Sequence, residues 1–448
     1  MSQTVEEIST PPGKSNIECT SKISISAWWM LFVLFLLYGF SYIDRLLIAM
    51  IVPGIKHGLR LSDVEIGVIL GPAFAIFYAI FGVPLGWAAD RYPRRWVIFL
   101  GVNLWSIATA AGGFAQSFWL LFGSRVGVGV GEASLSPAAF NLLADGFPKK
   151  RLTLAISIYQ TGIKVGGAVA YSLGAVIIAF VTSMGAVTIP GIGVFEPWQT
   201  VLILAGVPGL LLAPLVFTFS EPVRRDARVR PGDSASAWAF FWSARKPLLL
   251  MAFGFAMVMM AQYSMLSWVP AYMTRQFGWK PEGYGPELSM IGILAAASMI
   301  VKAWIVDWLY ARGMRDAHLR FYTWILAVSI PISAVCFFIS GGKSFLILYA
   351  IVQVIAVQFV VYMAATLQII LPVDLRGRIS GAFLALVNVV GAMGPFITGM
   401  ITDYLFKDEG KLGMSIGITV IISFTMSFIL LRTALPMILS AVNESRSL

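Results

Sequence analysis

LFVLFLLYGFSYIDRLLIAMIV, residues 31–52, is an apolar run long enough to cross a bilayer, and it carries Asp44 and Arg45 side by side in its interior. About 20 apolar residues in a helix span the hydrocarbon core. An ionised side chain at that depth costs roughly 2.5–3.5 kcal/mol and so faces a bundle interior or a wet cavity rather than lipid. The pair therefore marks a pathway through a membrane protein.

Outward from this run the chain keeps the same character. It is 58% hydrophobic and only 12% charged, with a mean hydropathy of +0.83, too apolar for a soluble chain of 448 residues. Twelve such runs fall near 27–53, 63–88, 96–113, 118–143, 152–182, 199–219, 247–274, 287–310, 320–340, 344–371, 378–404 and 413–438. They predict an all-α membrane protein of twelve transmembrane helices. The net charge of +10 reads as orientation and not as a nucleic-acid partner: 21 Lys and Arg lie on the side of the two termini, 7 on the opposite side, and Arg45, Arg125, Lys164 and Lys302 within spans. The positive-inside rule then places both termini in the cytoplasm. The polar N-terminus, MSQTVEEISTPPGKSNIECTSK, is unlike a cleavable signal. Cys19 and Cys336 are not placed to join an external framework, so no disulfide is expected. The one glycan acceptor pattern, Asn443-Glu444-Ser445, falls in the C-terminal tail, which fits a bacterial inner membrane.

The polar stretch SEPVRRDARVRPGDSAS, residues 220–236, divides the spans into six and six. The expected organisation is a tail (1–26), a six-helix bundle (27–219), a basic linker (220–246), a second six-helix bundle (247–438) and a short tail (439–448), in a monomer. FPKKRLTLAISIYQTGIKVGGAV (147–169) can be laid over LPVDLRGRISGAFLALVNVVGAM (371–393), matching Pro148 with Pro372 and Gly167 with Gly391. Parallel halves with a site between them near the midplane are a transporter plan.

After the second span comes GWAADRYPRR, residues 86–95. It resembles the loop signature of the major facilitator superfamily, with Pro93 in place of the usual Gly. Gly86 lets helices approach, Asp90 can meet a helix N-terminus, and Arg91, Arg94 and Arg95 can pair with acids to hold that face shut. The resemblance implies a partner acid after the fourth span, where Asp145 stands. The counterpart after the eighth span, AWIVDWLYARGMR, keeps Asp307, Arg312 and Arg315 but lacks the leading Gly, so a weaker latch is expected there.

In the fourth span, RVGVGVGEAS (125–134) is no nucleotide loop, because it lies in a spanning helix without a preceding strand. Its glycines permit close helix contact, and Glu132 sits about two turns from Arg125 on the same face. A structural ion pair between helices and a transport role are both open to Glu132.

YIDR (42–45), GVGEAS (129–134), GWAADRYPRR and PFITGMITD (395–403) together resemble the spinster-type branch of the superfamily, along nearly the whole chain. The resemblance implies transport of lysophospholipids or sphingoid phosphates with the proton as coupling ion, no other cofactor, and Asp44, Arg45 and Glu132 as the coupling cluster. Related organic-anion symporters share much of the pattern, so proton symport of an aromatic or sugar acid is the alternative, with drug efflux a further one. Tyr38, Tyr42 and Arg45 fall on one stripe, with Asp44 about 100° away. Arg45 can reach a phosphate or carboxylate, or close onto Glu132 when the cavity is empty.

Gln160, Lys164, Gly167 and Tyr171 share a stripe of the fifth span; Lys164 either reaches an anionic headgroup or snorkels to the boundary. In the second half Gln262, Tyr263 and Trp268, with Gln358, Tyr362 and Thr366, are candidates for the opposite wall. Arg275 is an external anion contact or an interfacial anchor, and Lys302 pairs locally or holds substrate. Nothing resembles a zinc site, a catalytic triad or a Walker loop, so the expectation is a secondary transporter and no enzyme.

Overall fold

The fold is seen in a computed structural model that describes residues 24–444 except 192, 225–241, 243–244, 315, 357–358 and 372–375. The readings on Cys19, Arg315, Gln358, Pro372 and most of the linker lie outside the described residues.

In lipid every backbone N–H and C=O must be bonded internally, which turns the apolar runs into helices. Among the described residues ten helical stretches are long and apolar enough to cross a membrane: Ile25–Met50, Asp63–Arg91, Arg151–Met184, Pro197–Phe217, Arg245–Phe277, Pro281–Ala311, Ala317–Cys336, Gly342–Gln368, Ile379–Phe406 and Glu409–Leu439. They are spans one, two and five to twelve. The third, Arg94–Gly112, is made less apolar by Arg95 and Asn103. The fourth is cut after Glu132 into Phe118–Glu132 and Leu135–Gly146, each too short alone. With these two the architecture is the expected twelve helices. One element was not anticipated: Val187–Ile189 pairs antiparallel with Gly193–Phe195, Val187 opposite Phe195, in the loop between spans five and six. Phe195 anchors this hairpin edge-to-face on Phe114 at 5.3 Å.

Local chemistry starts several helices. Ser24 caps the first span by accepting from the Ala27 amide, and Ser62 with Glu65 forms a capping box at the second. Gly167 and Gly391 occupy comparable seams, a Cβ on the first resting 3.5 Å from the Tyr42 ring and one on the second striking Met259.

Several spans are broken. The second breaks at Gly71, the eleventh at Ala392, and the Ala392 carbonyl occupies the place where a Gly71 Cβ would sit. The tenth is described as Gly342–Ile355 and Val360–Ile370. Carbonyls at the end of its first segment accept from neighbouring spans: Lys302 Nζ donates to Val354 O at 2.7 Å, Ser298 Oγ to the same oxygen at 3.1 Å, and Tyr322 Oη to Ala356 O at 2.8 Å. Lys302 thus pairs locally, as a buried cation at a helix C-terminus.

The halves meet on the side away from the termini. There Asp63, fully buried, accepts two hydrogen bonds from Arg275 of the seventh span (2.8 and 2.9 Å) and one from Lys56 (2.7 Å). Lys56 also reaches Glu409 at 2.8 Å, and Asp403 of the eleventh span accepts from the Val64 amide at 2.7 Å. Arg275, left between two readings by sequence, is one jaw of this clasp. Beneath it a Cβ on Gly67 would lie 2.8 Å from Phe396 Cα, so spans two and eleven touch backbone to backbone. Ser289 Oγ joins the eighth span to Ala168 O of the fifth at 3.0 Å. On the side of the termini no hydrogen bond or ion pair joins the halves among the described residues.

The loop signature works inside the first half. Arg94, 2% exposed, donates to Asp145, to Glu221 at 3.0 Å and to the Pro222 carbonyl at 2.9 Å, while Arg95 donates to Phe219 O at 3.0 Å. Asp90 accepts from Asn141 at 2.8 Å, and Arg91 stacks on Trp87. These contacts tie the ends of spans two, three, four and six together and do not bridge to the second half, as a face held shut would require. A Cβ on Gly86 would meet nothing nearer than Pro137 at 3.8 Å, so the close helix approach expected there is absent. In the second half Arg312 lies 3.7 Å over the Trp308 ring and Asp307 faces His318, with no ion pair on Asp307 among the described residues.

Two outcomes follow from these contacts. Burial alone pushes the Glu221 carboxyl up, but hydrogen bonds from the Arg94 backbone and side chain, with the arginine's charge, hold it below the ordinary glutamate range. Its contribution is complete above that range and is lost as pH falls through the depressed value. The melting temperature in detergent should therefore fall more steeply for the native chain than for Glu221→Gln as pH is lowered from about 5 to about 3. A parallel fall in both would remove Glu221 from the lock. Second, Gly67→Val should wedge spans two and eleven apart, lengthening the spin-label distance between V194C and K343C on the clasped side; an unchanged distance distribution means the seam tolerates the added methyls.

Candidate functional site

The four charges of the first and fourth spans meet in two crossed pairs. Asp44 and Arg45 are neighbours in sequence and point apart around the helix, while Arg125 and Glu132 stand two turns apart on the fourth span. Arg45 donates to Glu132 Oε2 through Nε at 2.9 Å and through Nη2. Arg125 Nη1 lies 3.6 Å from Asp44 Oδ2, and Thr109 Oγ1 of the third span donates to that same oxygen at 2.8 Å. Asp44, Arg125 and Glu132 are each 2–3% exposed, whereas the Arg45 side chain keeps 23%. Arg45 is thus the most exposed member of the group.

The surroundings favour cations and are partly unfinished. The Arg45 guanidinium lies 4.1 Å from the Phe74 ring centre and 5.5 Å from that of Tyr78. A recess of about 40 Å³ beside it is lined by Tyr42, Phe74, Arg125, Tyr263 and the broken segments at Gly71 and Ala392. Asp44 Oδ1, Glu132 Oε1 and Arg125 Nε are buried without a hydrogen-bond partner among the described residues. A buried carboxylate oxygen left bare costs free energy, and a proton or a ligand donor would relieve it.

Of the residues expected from sequence, Tyr42 lines the recess, and Tyr38 stacks on Tyr159 at 4.4 Å within electrostatic reach of Arg45. Tyr263 comes to the recess from the seventh span and donates to Asn388 at 3.2 Å. Gln160 and Lys164 are exposed on the fifth span, and Lys164 lies near enough to Lys302 for their charges to interact. Gln262 is partly buried beside Tyr263. The structure does not bring Tyr362, Trp268 or Thr366 to this group. Tyr362 is packed against Tyr322 and Phe321 in the core of the second half, and Trp268 donates from a fully buried position to Pro395 O. Sequence reasoning missed Thr109, Phe74 and Tyr78, which have no signal beyond their residue type. It placed Arg125 beside Glu132 without seeing that Arg125 serves Asp44.

Known proteins bear on this arrangement. The chain is 30% identical over 399 residues to an "MFS-type efflux pump" of Mycolicibacterium smegmatis, covering 86% of each. It is 25% identical to the hexuronate transporter of Bacillus subtilis, over 88% of this chain and 92% of that one. Human protein spinster homolog 1 is 30% identical, over 52% of this chain and 43% of its own length. Among solved structures, a bacterial homolog of the human lysosomal transporter spinster, inward-facing and unoccupied, superposes with a TM-score of 0.76 at 23% identity, covering 94% of this chain and 98% of that one. The sequence profile described as Major Facilitator Superfamily matches residues 34–395. The chain belongs to the Major Facilitator Superfamily, as an integral membrane transporter and not an enzyme.

Proposed function

We propose that the chain is a proton-coupled carrier of an organic anion, whose carboxylate or phosphate replaces Glu132 on Arg45. The observation that carries this reading is the Arg45 to Glu132 pair, one partner accessible and the other buried. A proton on Glu132 removes the charge that holds the guanidinium, and the freed fork takes an incoming anion in the same charge-assisted geometry. Proton and anion then favour each other's binding, and by linkage the effect is reciprocal. Asp44, held by Arg125 and Thr109, is a second proton site that keeps Arg125 from neutralising Glu132 in place of Arg45. Rocking of the halves about the clasped seam would expose the loaded site to the other side, with both termini in the cytoplasm and the bacterial inner membrane as the setting.

The first substrate class is a lysolipid, supported by the spinster likeness and by the sequence motifs. A specific observation favours a second reading. Tyr38, Tyr42, Tyr78 and Tyr263 surround Arg45, and phenol hydroxyls around a guanidinium suit a polyhydroxylated acid such as a hexuronate. The likeness to a hexuronate transporter extends along most of both chains.

In proteoliposomes with an imposed pH gradient, a radiolabelled lysophospholipid should be driven across in a saturable manner; flux of hexuronate alone moves the assignment to the second reading, and flux of neither overturns both. Arg45→Ala should weaken anion binding by about 10- to 100-fold in calorimetry, the scale of a lost charged hydrogen bond. Native affinity in that variant would make the arginine structural. Asp44→Asn should abolish gradient-driven flux while sparing binding, and unchanged coupled flux would take the proton role away from Asp44.

A further inference from the structure

A second ligand surface lies outside the transport cavity, on the flank of the second half. Where the seventh span lies along the twelfth, Leu249, Leu250, Phe253 and Met257 face Met426 and Leu430 across a groove of about 540 Å³. Leu249, Phe253 and Met426 are exposed, as side chains facing acyl chains are. Arg245 and Lys246 form the upper rim of the same groove. The Arg245 guanidinium lies 4.8 Å from the ring centre of Trp242, a residue type that marks the headgroup level. From Arg245 to Met257 the helix rises about 18 Å, close to the depth of one leaflet of a core about 30 Å thick.

A comparable groove in the first half shows what is particular here. It has about 530 Å³, runs along Leu85, Trp96, Leu100, Leu104 and Val130, and has no charged residue in its lining. Lipid tails cover such a surface without preference. The groove under Arg245 and Lys246 joins an apolar slot of leaflet length to two cations at headgroup height, at the end of a linker that also carries Arg224, Arg225, Arg228 and Arg230. Basic residues beside a span attract anionic lipid. We propose that this groove is a binding site for a diacyl anionic phospholipid of the leaflet on the side of the termini, its phosphate on Arg245 and Lys246 and one acyl chain in the slot. A lipid held there rests against the start of the seventh span and is a ligand distinct from the cargo at Arg45.

The test uses the full-length chain in micelles containing equal amounts of palmitoyl-oleoyl phosphatidylglycerol and phosphatidylcholine, read by native mass spectrometry. One phosphatidylglycerol should be retained with a preference of about tenfold or more, the scale expected for two basic residues at a membrane surface. R245Q/K246Q should lose the preference. Leu250→Trp keeps both cations and fills the slot, and it should also lose the bound lipid, which a diffuse charge effect would not. Phosphatidylglycerol should raise the melting temperature of the native chain and not that of R245Q/K246Q. Equal retention of the two lipids, showing an annular lipid only, would overturn the proposal. So would full retention by R245Q/K246Q, or a dimer that Leu250→Trp dissolves, which would make the face an interface between copies.

Discussion

Buried charge in a medium that cannot solvate it is the constraint on which the rest of the structure depends. Asp44, Arg45, Arg125 and Glu132 of the first and fourth spans sit inside the first half, and each must find a partner of opposite sign or remain at a cost of several kcal/mol. The crossed pairing meets that demand: Arg45 takes Glu132 and Arg125 takes Asp44. It also forces geometry on the helices around it. The third span must come close enough to offer Thr109, and the fourth must place two charges two turns apart while staying slender. The glycines between Arg125 and Glu132 serve that closeness, since a Cβ on Gly129 or Gly131 would strike Phe74 or Trp105. The fourth span breaks just after Glu132, the point at which the burden ends.

Much of this was legible in the amino-acid sequence because lipid leaves few alternatives. Long apolar runs have to be helices, and charges within them have to face inward, so the spans and the burial of Asp44, Arg45 and Glu132 among protein rather than lipid could be read directly. What could not be read depends on rotation and tilt. Helical spacing placed Tyr362 and Thr366 on one stripe, but spacing says which residues share a face and not what that face meets; here it meets the aromatic core around Tyr322. Lys302 offered no choice between partners because its acceptors are backbone carbonyls of a different span, at Val354 and Ile355. Arg275 and Asp63 lie more than 200 residues apart, and neither carries a local sign of the other. The arginines after the second span were expected to hold a face shut. Their partners instead belong to their own half, because the nearest acids are the ends of helices already packed beside them.

The two halves are stiffened by different means. In the first, Arg94 gathers Asp145, Glu221 and a carbonyl at one end of the bundle. In the second, side chains of the eighth and ninth spans donate to the Val354 and Ala356 carbonyls of the tenth. Each device acts within its half and leaves the surface between halves to other residues. That division suits rocking, in which two rigid bodies exchange contacts along one seam.

The seam itself has a thermal consequence. Gly67, Gly71 and Gly399 of spans two and eleven meet carbonyls and Cα atoms across it, with few rotatable side chains in between. Parting the glycine surfaces releases almost no rotamer freedom, because glycine has none to regain, whereas Arg275, Lys56 and Glu409 of the clasp would regain theirs. Closure is held by enthalpy, chiefly the hydrogen bonds on Asp63 and the close contact of backbones, and the entropy gained on parting lies with the side chains of the clasp. A seam whose closure is held by enthalpy in this way opens more readily as the membrane warms.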